Sequence, residues 1–142
     1  MANINVLKGM TSEEKKYIGD RLSQFNKDQA PPGYKSYRLD VDLVLKDEND
    51  KVMGGLIGVI YRFCLFIDTL WIEESLRGQG HGKALVIDAE RIAREENCLF
   101  IHLDTFSFQA PDFYESLGFK SFGVLDGYPG DLKRYYMKKE LI

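Results

Sequence analysis

The stretch that decides the fold is LRGQGHGKAL, residues 76–85, which lies between an apolar run of strand length and an amphipathic helical pattern. Glycines occupy positions 78, 80 and 82, and the apolar spacing that follows predicts a helix over residues 80–97. The first turn of a helix offers unpaired N–H groups to anions, and glycines let a phosphate approach the main chain. The stretch therefore predicts a pyrophosphate site, although glycines alone are equally compatible with an ordinary turn.

The glycine pattern also excludes two common nucleotide-binding loops. It runs G-x-G-x-G, which is not the dinucleotide fingerprint, and it lacks the Gly-Lys-Ser/Thr ending of an NTPase loop.

Hydrophobic periodicity on either side of this stretch predicts alternating strands and helices. A Thr-Ser-Glu-Glu capping box at residues 11–14 starts the first helix, and Ala-Pro-Pro-Gly at residues 30–33 ends it and forms the one linker-like segment. The later helices are predicted over residues 80–97 and 111–117. Strands are predicted over residues 3–7, 37–45, 52–61, 64–72, 99–103, 119–125 and 134–141. Strands 64–72 and 99–103 flank a helix, so they should lie parallel.

Composition indicates one globular domain over residues 1–142. The chain has 44% hydrophobic residues and a net charge of −3, and its longest basic cluster is a pair of residues. A nucleic-acid surface is therefore disfavoured. The apolar runs are far shorter than the roughly 18 residues of a membrane span, which leads us to expect a cytoplasmic protein without a membrane partner. Two isolated cysteines do not form a metal motif, and we expect no metal.

Two motifs resemble the GNAT superfamily of acetyl-CoA-dependent N-acetyltransferases. Residues 77–82 resemble the family's Arg/Gln-x-x-Gly-x-Gly/Ala signature, and residues 110–119, APDFYESLGF, resemble its Ala-x-x-x-Tyr-x-x-x-Gly-Phe block. With their separation, the motifs extend the resemblance over about residues 43–141. The resemblance implies an α/β (α+β) fold with a mixed, mostly antiparallel, twisted sheet of about six to seven strands. One central parallel pair would be splayed at the coenzyme site, and three or four helices would flank the sheet.

The resemblance also implies which residues bind acetyl-CoA. Main-chain N–H groups of the glycine-rich loop would surround the pyrophosphate, and the strand before it would border the pantetheine arm. A backbone N–H near Trp71 or Ile72 would face the thioester oxygen. Ser107 stands where the family commonly has an Asn that contacts the coenzyme, so either Ser107 or Gln109 would substitute for it. The residues implied are Leu70, Trp71, Ile72, Arg77, Gly78, Gln79, Gly80, His81, Gly82, Lys83 and Ser107.

The resemblance assigns the general acid but not the general base. Tyr114 occupies the position of the acid that protonates the departing thiolate, and a phenol with a pKa of about 10 is protonated at neutral pH. Many family members place a Glu base on the strand before the loop, where this chain has Phe66. Asp68 is therefore the first candidate, and the alternatives are His102, Asp104, Glu73 and a water chain.

These patterns predict an enzyme that transfers the acetyl group of acetyl-CoA to a primary amine by direct attack. The amine could belong to a small molecule or to a protein lysine, and a homodimer through the last strands is compatible with the sequence. The missing Glu leaves a non-catalytic acyl-CoA-binding module as the alternative. A toxin-like enzyme acting on aminoacyl-tRNA is disfavoured by the acidic composition.

Overall fold

The structure, a computed structural model, describes residues 2–31 and 37–142. Contacts divide the chain into two compact units, Met1–Ser36 and Tyr37–Ile142. A single domain over residues 1–142 stays a prediction. In the described part of the chain, no helix is long and apolar enough to cross a bilayer.

The first unit contains helix α1, Ser12–Gln29, whose N-terminus is capped by side chains of its own first turn. The Thr11 hydroxyl accepts a hydrogen bond from the Glu14 N–H at 3.1 Å, and the Glu14 carboxylate accepts one from the Thr11 N–H at 2.7 Å. This confirms the predicted capping box. The helix ends at Gln29 with Ala30 as its C-cap, while residues 32 and 33 of the predicted linker lie outside the described residues.

The strand predicted over residues 3–7 is wrong. These residues have no regular secondary structure, and Ile4, Val6 and Leu7 are all more than four-fifths exposed. Alternation of apolar residues is not sufficient for a strand, because a strand also needs a neighbour to complete its backbone hydrogen bonds.

The second unit is a six-stranded sheet with two helices. The strands are β1 (Arg38–Lys46), β2 (Val52–Tyr61), β3 (Cys64–Ile72), β4 (Phe100–Phe106), β5 (Lys120–Leu125) and β6 (Arg134–Glu140), and the helices are α2 (His81–Glu95) and α3 (Pro111–Ser116). The strand order is β1-β2-β3-β4-β6-β5. Only β3 and β4 pair in parallel, and every other neighbour is antiparallel. This confirms the predicted mixed sheet with a central parallel pair.

The core lies on one face of the sheet, under α2. This helix buries Leu85, Val86, Ala89 and Ala93, which belong to one apolar cluster with inward-facing strand residues such as Leu65 and Ile101. The four buried positions span one stripe of the helix, as amphipathic packing requires. Burial therefore fixes α2 against the sheet, and its N-terminus follows the end of β3.

The two parallel strands part soon after they meet. Their ladder covers three positions, ending at Phe66 opposite His102, although β3 continues to Ile72 and β4 to Phe106. We call this last paired position the fork. A bulge lies just beyond it, because Ile57 pairs with Thr69 and Gly58 with Ile67, which leaves Asp68 as the extra residue. The facing edges of the two strands are therefore separated beyond the fork.

Candidate active site

A cleft of about 770 Å³ opens where the end of β3, the glycine-rich loop, the start of α2 and the segment before α3 meet. Nine of the eleven predicted coenzyme residues line it, namely Leu70, Trp71, Ile72, Arg77, Gly78, Gly80, His81, Gly82 and Lys83. Leu76, Phe108, Gln109, Ala110 and Phe113 complete the lining. The two motifs of the sequence thus form facing walls of one cavity.

The first turn of α2 carries free hydrogen-bond donors into this cleft. The helix begins after Gly80, which has no side chain to cap it, and the Ala84 N–H makes the first intrahelical bond, 3.0 Å from the Gly80 oxygen. The N–H groups of His81, Gly82 and Lys83 consequently have no acceptor within the helix. No acidic residue lies in this turn. The arrangement suits a pyrophosphate, which supplies both acceptors and negative charge.

The loop before the helix is shaped by its glycines and fastened by two side chains. Gly78 and Gly80 have φ angles of 78° and 88°, in the left-handed region where glycine is favoured. The Arg77 guanidinium donates to the Ile72 oxygen at 3.0 Å, and the Gln79 amide donates to the Ser75 oxygen at 3.1 Å. The Arg77 side chain therefore ties the loop to the end of β3, and the Gln79 side chain ties it to the turn that follows β3.

Gly82 lies where the cleft is narrow. A Cβ atom at this position would stand 3.3 Å from Cζ of Phe113 and 3.9 Å from Cγ1 of Ile72. The absence of a side chain keeps the space between α2, α3 and β3 open. This space fits a slender chain beside a phosphate-binding turn, which is the shape of the coenzyme's pantetheine arm and pyrophosphate.

The wall opposite β3 favours Gln109 over Ser107 as a contact for the coenzyme. The Ser107 hydroxyl accepts a hydrogen bond from the Lys133 N–H at 3.2 Å, which turns it toward the start of β6. Gln109 lines the cleft, and its side-chain oxygen accepts from the Phe106 N–H at 2.7 Å. Its amide nitrogen is therefore the end that can donate to a ligand.

Tyr114 follows the cleft-lining Phe113 on α3 and is only 7% exposed. Its ring contacts those of Phe113 and Phe119, with centroids 5.1 and 5.6 Å away. Burial raises the pKa of the Tyr114 phenol to about 12. The hydroxyl is therefore protonated throughout the physiological pH range and is available as a proton donor.

The four candidate bases lie in different environments. Asp104 is bound by the Arg134 guanidinium at 2.7 and 2.9 Å, and Glu73 lies beyond the far end of β3. Asp68 is exposed at the bulge and lines a second cavity, of about 480 Å³, together with Phe66. His102 is half-buried at the fork, with its ring centroid 5.0 Å from that of Phe66. Among the four, Asp68 and His102 are therefore the pair adjacent to Phe66.

Sequence reasoning missed two aromatic residues of the cleft, Phe108 and Phe113. Phe113 lies inside the second motif, one residue before the tyrosine, so its position gave a usable signal. Phe108 is 73% exposed and stacks on Phe106 with 6° between the ring planes, a contact that the sequence does not signal. Within residues 2–31 and 37–142, no three His, Cys, Asp or Glu side chains come together as potential metal ligands.

Comparison with known proteins gives consistent matches. A sequence model of the acetyltransferase (GNAT) family matches residues 13–119. Blasticidin-S acetyltransferase of Streptomyces morookaense is 36% identical over 95 residues, covering 66% of this chain and 70% of the relative. Acetyltransferase Atu2258 of Agrobacterium fabrum is 33% identical over 114 residues, covering 80% and 81%.

A solved structure agrees with these matches. The crystal structure of an acetyltransferase from Bacillus cereus ATCC 14579 superimposes with a TM-score of 0.90 at 36% identity, covering 96% of this chain and 98% of the other. The chain belongs to the acetyltransferase (GNAT) family and is an acetyl-CoA-dependent acetyltransferase.

Proposed function

We propose that this enzyme transfers the acetyl group of acetyl-CoA to a primary amine by direct attack, without an acyl-enzyme intermediate. The observation that carries the proposal is one cleft that joins the uncapped first turn of α2 to the splayed edge of β3. Acetyl-CoA, when bound, supplies an acetyl group activated as a thioester. The chain's own residues then need to hold the coenzyme, stabilise negative charge and move two protons.

Binding would use the main chain more than side chains. The N–H groups of His81, Gly82 and Lys83 would hold the pyrophosphate, and the exposed edge of β3 would hold the pantetheine arm. A backbone N–H at Trp71 or Ile72 would stabilise negative charge on the acetyl oxygen. Because secondary structure fixes these donors in advance, they need little reorganisation during the reaction.

Tyr114 would act as the general acid. A thiolate that leaves into an apolar wall is more basic than one in water, so it takes a proton readily from a nearby donor. The buried Tyr114 phenol keeps its proton, since its pKa is about 12, until such a base forms beside it. The buried ring contacts of Tyr114 are equally required for α3 to pack, so the test must separate chemistry from packing.

A general base is also needed. An aliphatic amine with a pKa near 10.4 is unprotonated in only about one molecule in a few thousand at pH 7. Asp104 is held in its ion pair with Arg134, so a proton arriving there would have to displace the guanidinium. Asp68, the first candidate from the sequence, and His102 are therefore the two groups left near the fork.

The acceptor is proposed to be a small-molecule amine. The similarity to a blasticidin-S acetyltransferase supports this class over a protein lysine. The two acceptor classes can be distinguished by measuring release of the coenzyme thiol with a panel of small amines and with peptides that contain lysine. Thiol release that occurs only with peptides would contradict the small-molecule assignment.

The test of the mechanism is Tyr114→Phe, which keeps the ring and removes the proton. We expect kcat to fall by roughly 10–10⁴-fold, the scale of general acid catalysis, with little change in coenzyme affinity. Tyr135→Phe is the matched control, because Tyr135 also packs against the core but lies on β6.

A donor whose thiol leaving group needs no protonation gives the decisive comparison. The loss in Tyr114→Phe should then be much smaller, since the acid has no proton to deliver. An equal loss with both donors would show that Tyr114 packs or positions, and the acid role would be withdrawn.

A further inference from the structure

The residue pair at the fork lies on the sheet face opposite α2. Leu65, Ile67, Ile101 and Leu103 point into the core, and side chains alternate along a strand. Phe66 and His102 must therefore face the other way, and their ring centroids are 5.0 Å apart. This places the imidazole at the point where the two strands separate.

Two aromatic rings border the His102 side chain. The Phe66 and Phe100 rings contact it, with centroids 5.0 and 5.8 Å away. Phe66 also lines the 480 Å³ cavity, so the imidazole lies behind one of that cavity's walls. His102 is thus held at a fixed position by packing, and its side chain remains partly exposed.

The charged groups that face His102 come from three strands. Asp68 follows Phe66 on β3, Asp104 follows His102 on β4, and Lys138 is directly opposite His102 on β6. The Lys138 ammonium is paired with Glu140 at 2.7 Å, and Asp104 is paired with Arg134. Asp68, in contrast, makes no ion pair within residues 37–142. It accepts a long hydrogen bond from the Thr69 hydroxyl, at 3.5 Å.

The protonation state of His102 suits a base. Burial lowers the pKa of the imidazole below its usual 6.5, and the opposing effect of Asp104 is smaller. The ring is neutral at pH 7 and can accept a proton.

We propose that His102, and not Asp68, is the general base of this enzyme. This inference rests on the proposed acetyl transfer to an amine. His102 takes the proton that the amine sheds as its nitrogen bonds to the acetyl carbon. Tyr114 gives a proton to the sulfur as the carbon–sulfur bond breaks, so charges and protons balance. The imidazole packed against Phe66, at the point where β3 and β4 separate, would supply the basic group.

The experiment compares His102→Gln with Asp68→Asn across pH 5.5–9.5. His102→Phe, which keeps a ring against Phe66, is included in case the first variant folds poorly. Asp88→Asn is the matched control, because it removes an exposed carboxylate on α2 that lines neither cavity. Coenzyme affinity, measured by calorimetry, reports whether each variant is folded.

We expect both His102 variants to lower kcat at pH 7 by roughly 10²–10⁴-fold without weakening coenzyme binding. The deficit should shrink as pH rises and more free amine becomes available. Asp88→Asn should stay within about twofold of the wild type, and Asp68→Asn should retain the wild-type pH profile.

Proton NMR adds a readout that a structural role would not produce. The chain has two histidines, His81 and His102, so the signals of His102 are assigned by their loss in the variant. Its titration midpoint should match the acid limb of the wild-type kcat profile. A wild-type profile in His102→Gln, or an acid limb that disappears in Asp68→Asn instead, would overturn the assignment while leaving the proposed function standing. No thiol release from the wild type with any amine would overturn both.

Discussion

The two long helices of this protein begin in opposite ways. At α1 the Thr11 side chain and Glu14 satisfy the exposed donors, and acidic residues fill the first turn. At α2 the cap is Gly80, no side chain closes the turn, and no acid is present. A glycine in place of a capping side chain forgoes roughly a few tenths of a kcal/mol of helix stability.

The difference follows from how each helix is held. α1 has no buried residue among those described, so local hydrogen bonds must define its start. α2 buries four residues against the sheet, and this packing holds it without a cap. A helix fixed by burial can leave its first N–H groups for a ligand, whereas a helix fixed by capping cannot.

The largest expected effect comes from filling the open turn of α2. Gly82→Val would place a branched side chain against Phe113 and in front of the N–H groups of the first turn. Coenzyme affinity should then fall by about 100-fold, because charge-assisted hydrogen bonds worth about 1.5–3 kcal/mol would be lost. Ala84→Val is the control, because its N–H is already bonded to Gly80 and its side chain is exposed. Calorimetric titration showing unchanged affinity in a folded Gly82→Val protein would contradict the placement of the coenzyme.

A smaller effect should follow from giving α2 the acidic first turn of α1. Lys83→Glu places a carboxylate beside the proposed pyrophosphate, so affinity should fall by roughly 10-fold, while the helix dipole gains about 0.3–1 kcal/mol in the free protein. Thermal melts with and without coenzyme measure both changes. Lys120→Glu makes the same charge change on β5 and should leave affinity intact. If both variants weakened binding equally, the effect would be one of net charge and not of the helix terminus.

The smallest effect on coenzyme affinity should come from removing the N-cap of α1. Thr11→Ala removes the cap, which should destabilise the helix by about 1 kcal/mol and lower helicity in residues 12–29. Coenzyme affinity should not change. Ser12→Ala, one residue further along, serves as the control in amide-exchange measurements by NMR. Equal fraying in the two variants would mean that the capping box contributes nothing.

The sequence predicted the elements whose signals are local and strong. The capping box at residues 11–14, the α2 stripe and the parallel pair could be predicted, because residue spacing and element order determine them. The coenzyme residues were implied by the family resemblance, and nine of them line the cleft. The strand at residues 3–7 was wrong, since alternation does not supply a partner. The bulge at Asp68, the ion pair that occupies Asp104 and the orientation of Ser107 depend on contacts between distant segments.

The roles of Tyr114 and Asp68, the homodimer and the cytoplasmic location stay predictions. The edge strand β5 exposes Phe122 and Val124. The molar mass in solution, measured by light scattering, tests whether two copies pair there.

The fork has a further consequence for the lifetime of the protein. Beyond Phe66 and His102, two strand edges face each other in the middle of the sheet without a shared ladder. Open strand edges invite pairing with other chains, which is how folded proteins begin to aggregate. A coenzyme that binds only the native state adds about 2.7 kcal/mol of stability at a concentration 100 times its dissociation constant. Bound coenzyme would therefore make it rarer for these strand edges to become available to other chains.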